Sequence, residues 1–152
     1  MKKFQIALIV IFLFLLVFVL SSISQSQDIK KLKAGMHNTV TLSNGEMVYD
    51  LNGEWDAIYD NKQYGTNKDV VKITQEGNKF VGIKLIGNIW VGKGSETIKG
   101  ELEGDGFKSL YCYVHTEGGW TLSKGQVSDR GNKIVIETER YSYTVVLTLT
   151  RK

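Results

Sequence analysis

The sequence contains no proline and only one cysteine, Cys112. A lone cysteine cannot form an internal disulfide, so an exported domain built from this chain must be held together by packing alone. The 16 glycines, together with the lack of proline, indicate tight turns built with positive φ angles. These features exclude a disulfide-rich scaffold and favour a hydrophobic core closed by glycine turns.

The chain also lacks a surplus of basic charge in the part expected to fold. Lys and Arg number 19 against 16 Asp and Glu, and setting Lys2 and Lys3 aside leaves 19 − 2 = 17 against 16. A nearly neutral domain has no basic surface for nucleic acid, so we expect no nucleic-acid partner. The 152 residues have room for one domain.

The N-terminal segment, residues 1–27, has the layout of a secretory signal peptide or an uncleaved signal anchor. Two lysines precede fifteen consecutive apolar residues, Ile6 to Leu20, and a Ser/Gln-rich stretch follows. Fifteen helical residues span only ~22 Å of the ~30 Å hydrocarbon core, whereas residues 4–23 are long enough to cross it. We therefore predict a hydrophobic helix that places the domain outside the cytoplasm, either anchored by a single pass or secreted or periplasmic after cleavage.

Beyond a charged linker at residues 28–38, apolar residues alternate with polar ones at the period of β-strands. Asn44 and Gly45 lie between two short alternating runs and predict an N-terminal hairpin over residues 39–50. Eight further strands are predicted at about 54–60, 69–75, 79–86, 96–102, 107–115, 119–127, 133–139 and 142–150. Short connections between them favour an all-β domain, 39–152, folded as an antiparallel up-and-down β-barrel.

The stretches "QEGNKFV" and "DRGNKIV" repeat one pattern at Gly77 and Gly131. Gly-Asn tolerates the positive φ angles of a primed hairpin turn, so each stretch predicts a chain reversal. The repeat is compatible with an internal duplication or with one turn chemistry used twice, and we favour the second.

The stretch "LNGEWDAIYD", with Gly53 two residues before Trp55, resembles the G-x-W signature on the first barrel strand of the lipocalins and their calycin relatives. The resemblance implies that Trp55 closes one barrel end and that an arginine from the last strand lies across it. Period-two alternation places Arg151 on the same face as Leu147 and Leu149. Arg151 is therefore predicted to stack on Trp55 through a cation–π contact.

The chain departs from the lipocalin pattern in several respects. Asp56 follows the tryptophan where lipocalins usually have an aromatic residue, arginine or leucine, and the strands are shorter than usual. A looser likeness links the chain to exported bacterial domains that carry G-x-W early and a T-Q-x-G-N turn later, as in "ITQEGNKF". Both resemblances imply a lipocalin-like bacterial barrel.

Two patterns resemble a phosphate-binding loop and a catalytic Cys–His pair, but each lacks an essential feature. The stretch 87–94, "GNIWVGKG", has the spacing of a phosphate-binding loop, but Gly94 replaces the Ser or Thr that holds magnesium. Cys112 and His115 resemble a nucleophile and its base, yet an offset of three along a strand sends them to opposite faces. Cys112 is therefore predicted to be a small buried hydrophobe.

Metal-binding and acid/base patterns are equally weak. The sequence has two histidines, His37 and His115, and residues 103–106 offer too few oxygen ligands for calcium. Glu101 with Glu103, and Glu137 with Glu139, share strand faces, but solvated outer faces of a barrel explain such pairs. We predict no catalytic residue, metal or cofactor, and hence a non-enzymatic protein.

Aromatic residues indicate a binding role at the barrel end away from Trp55. Phe107, Tyr111, Tyr113 and His115 share one face of the fifth strand, so either that face or the opposite one lines the interior. Two tryptophans adjoin predicted connections: Trp90 lies in the stretch before the fourth strand and Trp120 follows two glycines. The predicted ligand-binding residues are Trp90, Trp120, Tyr111, Tyr113 and His115.

Two functions fit this pattern. In one, the barrel binds a small apolar ligand inside, as eight-stranded barrels can do. In the other, a filled barrel serves as an extracytoplasmic protein-interaction module through an exposed aromatic face. The presence or absence of an internal cavity distinguishes the two.

Overall fold

The structure, a computed structural model, describes residues 38–115, 119–140 and 143–152. The hydrophobic segment 1–27 and the linker up to residue 37 lie outside these ranges, so the signal, anchor and membrane predictions stay predictions. Within the three described ranges, no helix has the length and apolar character needed to cross a membrane.

The described residues form antiparallel strands and include a short 3₁₀ turn at Asp129–Gly131. The strands are β1 (Thr39–Thr41), β2 (Met47–Tyr49), β3 (Gly53–Asn61), β4 (Gly65–Glu76), β5 (Lys79–Lys84), β6 (Glu96–Glu103), β7 (Gly106–Val114), β8 (Gly119–Leu122), β9 (Lys124–Ser128), β10 (Lys133–Arg140) and β11 (Tyr143–Arg151). The all-β prediction is confirmed.

Strands β1 and β2 pair as a separate hairpin, and the other strands form one nine-stranded sheet in the order β8-β7-β6-β5-β4-β3-β11-β10-β9. The two edge strands of this sheet, β8 and β9, are neighbours in sequence and are separated only by Ser123. The predicted strand 119–127 therefore pairs with β7 through its first half and with β10 through its second half. The result is a nearly closed antiparallel barrel.

The break at Ser123 explains why nine strands replace the predicted eight. The Ser123 hydroxyl bonds the Thr121 carbonyl at 3.0 Å and the Thr138 hydroxyl at 2.8 Å, which offers the backbone a local alternative to the sheet ladder. Gly125 follows in β9, and a Cβ there would lie 2.3 Å from the Leu110 side chain. A glycine at this position lets the strand bend across the core towards β10.

The predicted glycine turns at Gly45 and Gly77 take positive φ angles of 84° and 60°. Gly45 connects β1 to β2, and Gly77 with Asn78 forms a two-residue connection between β4 and β5. Gly131, in the second Gly-Asn stretch, has φ 89° and ends the 3₁₀ turn before β10. The two similar stretches therefore make different connections, a hairpin turn and a 3₁₀ turn.

Alternation along each strand places the core inside the barrel. In β3, for example, Trp55 and Ala57 are buried while Asp56 is exposed. The buried apolar side chains inside the barrel and beneath the hairpin are Val48, Tyr49, Leu51, Trp55, Ala57, Val71, Ile73, Phe80, Ile98, Leu102, Leu110, Cys112, Val127, Ile134, Ile136, Leu147 and Leu149.

Two bulges interrupt this alternation. The register of β5 with β6 shifts at Gly82/Ile83, and as a result both Thr97 and Ile98 are buried. A second shift, between Glu101 and Leu102 of β6, skips Lys108 of the partner strand. It brings Phe107 against the core, with its ring centroid 5.7 Å from that of Phe80. Simple alternation had predicted that Phe107 shares a face with Tyr111 and Tyr113, and this prediction is wrong.

One barrel end is filled by Trp55, whose side chain is fully buried. Its indole N–H donates to the Leu51 carbonyl at 3.0 Å. Arg151 lies opposite Trp55 in the β3–β11 register, and its guanidinium carbon is 4.5 Å from the ring centroid. This is the contact predicted from the resemblance and the strand alternation.

The guanidinium of Arg151 also fixes the chain that enters β3. It donates to the Asn52 carbonyl at 2.7 Å and to the Asp50 carbonyl. Gly53 has φ 127°, and Nη1 of Arg151 lies 3.5 Å from the position of a Cβ at Gly53. A Cβ at that distance makes only an ordinary van der Waals contact, so the positive φ angle is what favours glycine in G-x-W.

The β1–β2 hairpin covers this same end, which we call the closed end. The Gln75 side chain accepts from the Leu51 amide at 2.7 Å and donates to the Tyr49 carbonyl at 3.0 Å. The Glu46 carboxylate accepts from the Gly104 amide at 2.8 Å. Apolar packing by Val48 and these polar contacts hold the hairpin against the barrel.

Candidate functional site

The barrel end away from Trp55, which we call the open end, holds a cavity of about 250 Å³. The far ends of strands β3, β4, β5, β6, β7 and β11 and the loop 85–95 surround it. Among the described residues, its lining consists of Tyr59, Asn61, Tyr64, Gly65, Asn67, Lys84, Asn88, Trp90, Val91, Thr97, Cys112, Tyr113, Val114, His115 and Val145.

Lys84, at the inner wall of the cavity, forms a buried ion pair with Asp69, which is not itself a lining residue. Nζ of Lys84 lies 3.2 Å from Oδ2 of Asp69, and the two side chains are 3% and 1% exposed. A buried charge is stable only when it is paired and hydrogen-bonded, so each group depends on the other. The cavity therefore combines an apolar mouth with an ionic inner wall.

Asp69 accepts three backbone hydrogen bonds in addition to its ion pair. Oδ1 accepts from the amides of Val70 at 2.7 Å and Ile86 at 3.1 Å, and Oδ2 accepts from the amide of Gly87 at 3.1 Å. Both carboxylate oxygens thus accept backbone hydrogen bonds, while Lys84 supplies the balancing positive charge. It also attaches the start of the loop 85–95 to strand β4.

Lys84 has fewer partners than Asp69. An ammonium carries three donors, and within the described part of the chain Asp69 is the single acceptor for Nζ. Nζ also lies 4.2 Å from the centroid of the Tyr59 ring, a cation–π contact. The ammonium therefore retains hydrogen-bonding capacity beside the cavity.

Tyr59 and Thr97 form the second polar contact of the cavity wall. Their hydroxyls are 3.0 Å apart, and the bulge in β6 is what turns Thr97 inward to meet Tyr59. Burial raises the pKa of the Tyr59 phenol well above its ordinary value. The phenol is therefore neutral at physiological pH and can both donate and accept a hydrogen bond.

Cys112 faces the interior with Leu110, as alternation predicts, whereas His115 is exposed. Burial raises the pKa of the Cys112 thiol to about 11, against a lowering by the Thr138 hydrogen bond and by the charge of Lys84. Since the thiolate is the nucleophile, the neutral thiol makes Cys112 unreactive near neutral pH.

The mouth of the cavity is bordered by the loop 85–95. The Asn88 side chain accepts from the amides of Trp90 at 2.9 Å and Val91 at 2.8 Å, which shapes the loop around these two residues. The Trp90 ring lies 5.7 Å from the His115 ring. Trp90 is 58% exposed and Ile89 is 90% exposed, so this loop presents apolar surface to solvent.

The five predicted ligand-binding residues divide into two groups. Trp90, Tyr113 and His115 border the cavity, whereas Tyr111 and Trp120 do not line it. Trp120 packs edge-on against Tyr113 at 5.7 Å, and Nζ of Lys99 lies 4.0 Å above its ring. Tyr111 is exposed, so its face is the outer one and the Cys112 face is the inner one.

Sequence reasoning missed Asp69, Lys84 and Tyr59, although alternation contains the signal. In "DVVKI", Asp69 shares its face with Val71 and Ile73, and in "KFVGIK", Lys84 shares its face with Phe80. Two opposite charges at inward positions of paired strands predict a buried ion pair. The inward positions of β3 continue from Trp55 to Tyr59 in the same way.

A second, larger groove of about 770 Å³ runs along the β1–β2 hairpin at the closed end. Its walls include Asn44, Glu46 and Gln75, and the side chain of each already accepts a hydrogen bond from a backbone amide. In the described ranges, no three His, Cys, Asp or Glu side chains come together as a metal site. The open-end cavity is therefore the stronger candidate site.

Comparison with known proteins gives no family for the chain: no family model matches it, and no curated protein matches it. The fold is compatible with a lipocalin-like barrel, and the likeness depends on the barrel, Gly53, Trp55 and Arg151.

Proposed function

We propose that this protein is a non-enzymatic, lipocalin-like β-barrel that binds a small, mainly apolar molecule in the cavity at its open end. The hydrophobic segment of residues 4–23 anchors the barrel to the cell membrane or, after cleavage, has exported it. In either case the barrel lies outside the cytoplasm.

The cavity is the observation that supports this proposal. A volume of 250 Å³ corresponds to about eight non-hydrogen atoms, since a water molecule occupies about 30 Å³ of liquid. Drug-sized ligands use pockets of about 300 Å³ or more, so the ligand proposed here is smaller. Val91, Val114 and Val145 supply apolar contacts around it.

The alternative function, an interaction module, has its own supporting observation on the outer surface. Leu122 is 67% exposed and lies opposite Tyr111 in the β7–β8 register, beside the Tyr113–Trp120 pair. Exposed apolar residues that form a patch are typical of protein-interaction sites. Tyr113 borders both the cavity and this outer patch, but Val145 lines only the cavity and Leu122 lies only in the patch, so substitutions at these two residues can distinguish the two functions.

Native mass spectrometry of the full chain, purified from its source cells, tests the proposal. The matched variants are Val145→Phe, which places a larger side chain in the cavity, and Val146→Phe, one residue along β11 and on the opposite face. We expect a reproducible bound mass on the wild type and on Val146→Phe, and its loss from Val145→Phe.

Two results contradict the proposal. One is wild-type protein that carries no small molecule under any growth condition of the source cells. The other is a bound mass that Val145→Phe retains, since a molecule held in the cavity cannot share it with the added ring. Capture of one defined protein by wild type, lost in a Leu122→Glu variant, would instead support the interaction module.

N-terminal sequencing of the mature protein separates the two forms of export. We propose an uncleaved anchor, so the expected sequence begins at or next to Met1. A mature N-terminus near Ser24 or Ser26 would show a cleaved signal peptide instead.

A further inference from the structure

We infer that the molecule bound at the open end is uncharged and carries one hydrogen-bond acceptor, such as a carbonyl oxygen, that meets Lys84 at the inner wall. This inference rests on the proposed function and names the chemical class of the ligand. It follows from three properties of the site: the net charge of the Lys84–Asp69 pair, the N–H donors of Lys84 that have no protein acceptor in the described ranges, and the volume of the cavity.

The net charge of the inner wall excludes an anionic ligand. Lys84 and Asp69 are 3.2 Å apart and almost completely buried, so together they contribute no net charge. A carboxylate placed beside Lys84 would add an unbalanced negative charge close to Asp69 in a poorly solvated site, which is strongly unfavourable. A neutral ligand avoids this cost.

The distribution of hydrogen bonds favours an acceptor over a donor. Asp69 already receives three backbone amides and Lys84, whereas Nζ of Lys84 has this one carboxylate as its acceptor in the described ranges. The ammonium is therefore the group with unused hydrogen-bonding capacity, and it can only donate. A ketone oxygen at this position would receive a charge-assisted hydrogen bond.

The size of the cavity limits the rest of the molecule. The estimate of about eight non-hydrogen atoms leaves room for a short apolar chain that extends from Lys84 towards Val145 and Trp90. 2-Heptanone has this size and one acceptor. Hexanoate has a similar size with a negative charge, and n-heptane has the apolar chain without an acceptor.

The three tryptophans allow a test on the intact chain. Full-length protein labelled with 5-fluorotryptophan is placed in lipid nanodiscs and titrated with each probe while its ¹⁹F NMR spectrum is recorded. Trp90 borders the cavity, Trp55 lies at the closed end and Trp120 lies outside the lining, so the last two are internal controls. Titration of empty nanodiscs gives the free concentration of each probe.

We expect 2-heptanone to shift the Trp90 signal, with smaller or no shifts for Trp55 and Trp120. Its dissociation constant should be at least about tenfold lower than that of hexanoate, because the carboxylate carries an unbalanced charge into the site. It should also be about tenfold lower than that of n-heptane, because a hydrogen bond to a charged donor is lost.

The double variant Lys84→Met/Asp69→Asn tests the role of the ammonium, since it removes both charges together. We expect this variant to bind 2-heptanone and n-heptane with similar affinity. If the variant does not fold, the comparison of the three probes on the wild type still decides the inference.

Hexanoate binding as tight as 2-heptanone, or tighter, would overturn the inference about charge while leaving the proposed cavity function intact. Equal binding of n-heptane and 2-heptanone by the wild type would overturn the role of Lys84 as donor. Failure of all three probes to move the Trp90 signal would overturn the inference, whereas a bound mass that is present on the wild type and lost from Val145→Phe would still support the proposed cavity function.

Discussion

The two ends of the barrel differ in how their interiors are filled. At the closed end, Trp55 is fully buried, its indole N–H has an acceptor, and the Arg151 guanidinium lies over the ring and donates to two backbone carbonyls, while its Nε is buried without a hydrogen-bond partner among the described residues. At the open end, Lys84 is buried beside a cavity, and Asp69 is its one acceptor in the described part of the chain. The closed end is therefore filled by an aromatic ring, whereas the open end leaves a cavity beside a buried ion pair.

Strands β3 and β11 each contribute side chains to both ends. The inward positions of β3 run from Trp55 through Ala57 to Tyr59, and those of β11 run from Arg151 back to Val145. The same alternation thus fills one end with a large ring and leaves the other lined by smaller or polar groups. The contrast between the two ends lies in side-chain size and hydrogen bonding, since the backbone is continuous.

The largest effect is expected at the closed end. Trp55→Ala should lower the free energy of unfolding by about 3 to 5 kcal/mol, because it removes a buried aromatic ring and the partner of Arg151. Urea denaturation followed by circular dichroism measures this change. Trp120→Ala, outside the core, is the matched control and should cost about 1 kcal/mol. Similar losses for both variants would mean that Trp55 is not the main support of the closed end.

The ion pair at the open end should give the next largest effect. Lys84→Met leaves Asp69 buried without its cation and should cost about 3 kcal/mol, the low end of the range because three amides still bond the carboxylate. Lys84→Met/Asp69→Asn should recover more than half of that loss. A double-mutant cycle in urea measures the coupling, and additive losses would show that the two charges act independently.

The pH dependence of stability gives a smaller effect at the open end. The pKa of the Cys112 thiol is about 11 in the folded chain, above the ordinary value of 9.0, because of burial. The folded state therefore keeps the proton to higher pH, so this contribution is complete below pH 9 and is lost as the pH rises through 11. We expect the wild type to lose about 2 kcal/mol more than Cys112→Ala between pH 8 and 11.

Parallel stability curves for the wild type and Cys112→Ala would contradict the burial of the thiol. Cys112→Ala is the reference because buried Tyr59 also has a raised pKa and loses its proton at still higher pH. Tyr59 contributes equally in both proteins, so the difference between their curves reports Cys112.

The smallest effect is expected for Arg151→Lys at the closed end. The lysine keeps the positive charge but loses the flat stacking on Trp55 and the paired bonds to two carbonyls, which should cost about 1 to 2 kcal/mol. Lys152→Arg, at an exposed neighbouring position, is the control and should change stability by less than about 0.5 kcal/mol. An unchanged free energy of unfolding in Arg151→Lys would show that the positive charge alone explains the contribution of this residue to stability.

Much of the fold is predictable from the sequence because it depends on alternation and turn chemistry. Gly45 and Gly77 mark hairpins, and the G-x-W resemblance together with alternation predicts the contact of Arg151 with Trp55. The break at Ser123 is not predictable in this way, because it depends on side-chain hydrogen bonds to Thr121 and Thr138 that form only in the folded barrel.

The candidate site is less predictable than the fold. Trp90, Tyr113 and His115 were expected at a barrel mouth and border the cavity, but the two bulges decide which neighbouring residues point inward. Thr97 and Phe107 change faces at these bulges, so strand alternation does not predict which way their side chains point. Asp69 and Lys84 follow the period, and a search for opposite charges at inward positions would have found them.

The affinity for 2-heptanone in Trp90→Ala and Trp55→Phe tests most directly whether the two ends have separate roles. Trp55→Phe keeps a ring at the closed end, so we expect a less stable protein with a wild-type dissociation constant. Trp90→Ala should keep the wild-type free energy of unfolding, because Trp90 is largely exposed. Its affinity for 2-heptanone should be about tenfold weaker. Weakened binding in a well-folded Trp55→Phe protein, with unchanged binding in Trp90→Ala, would contradict the division of roles between the two ends.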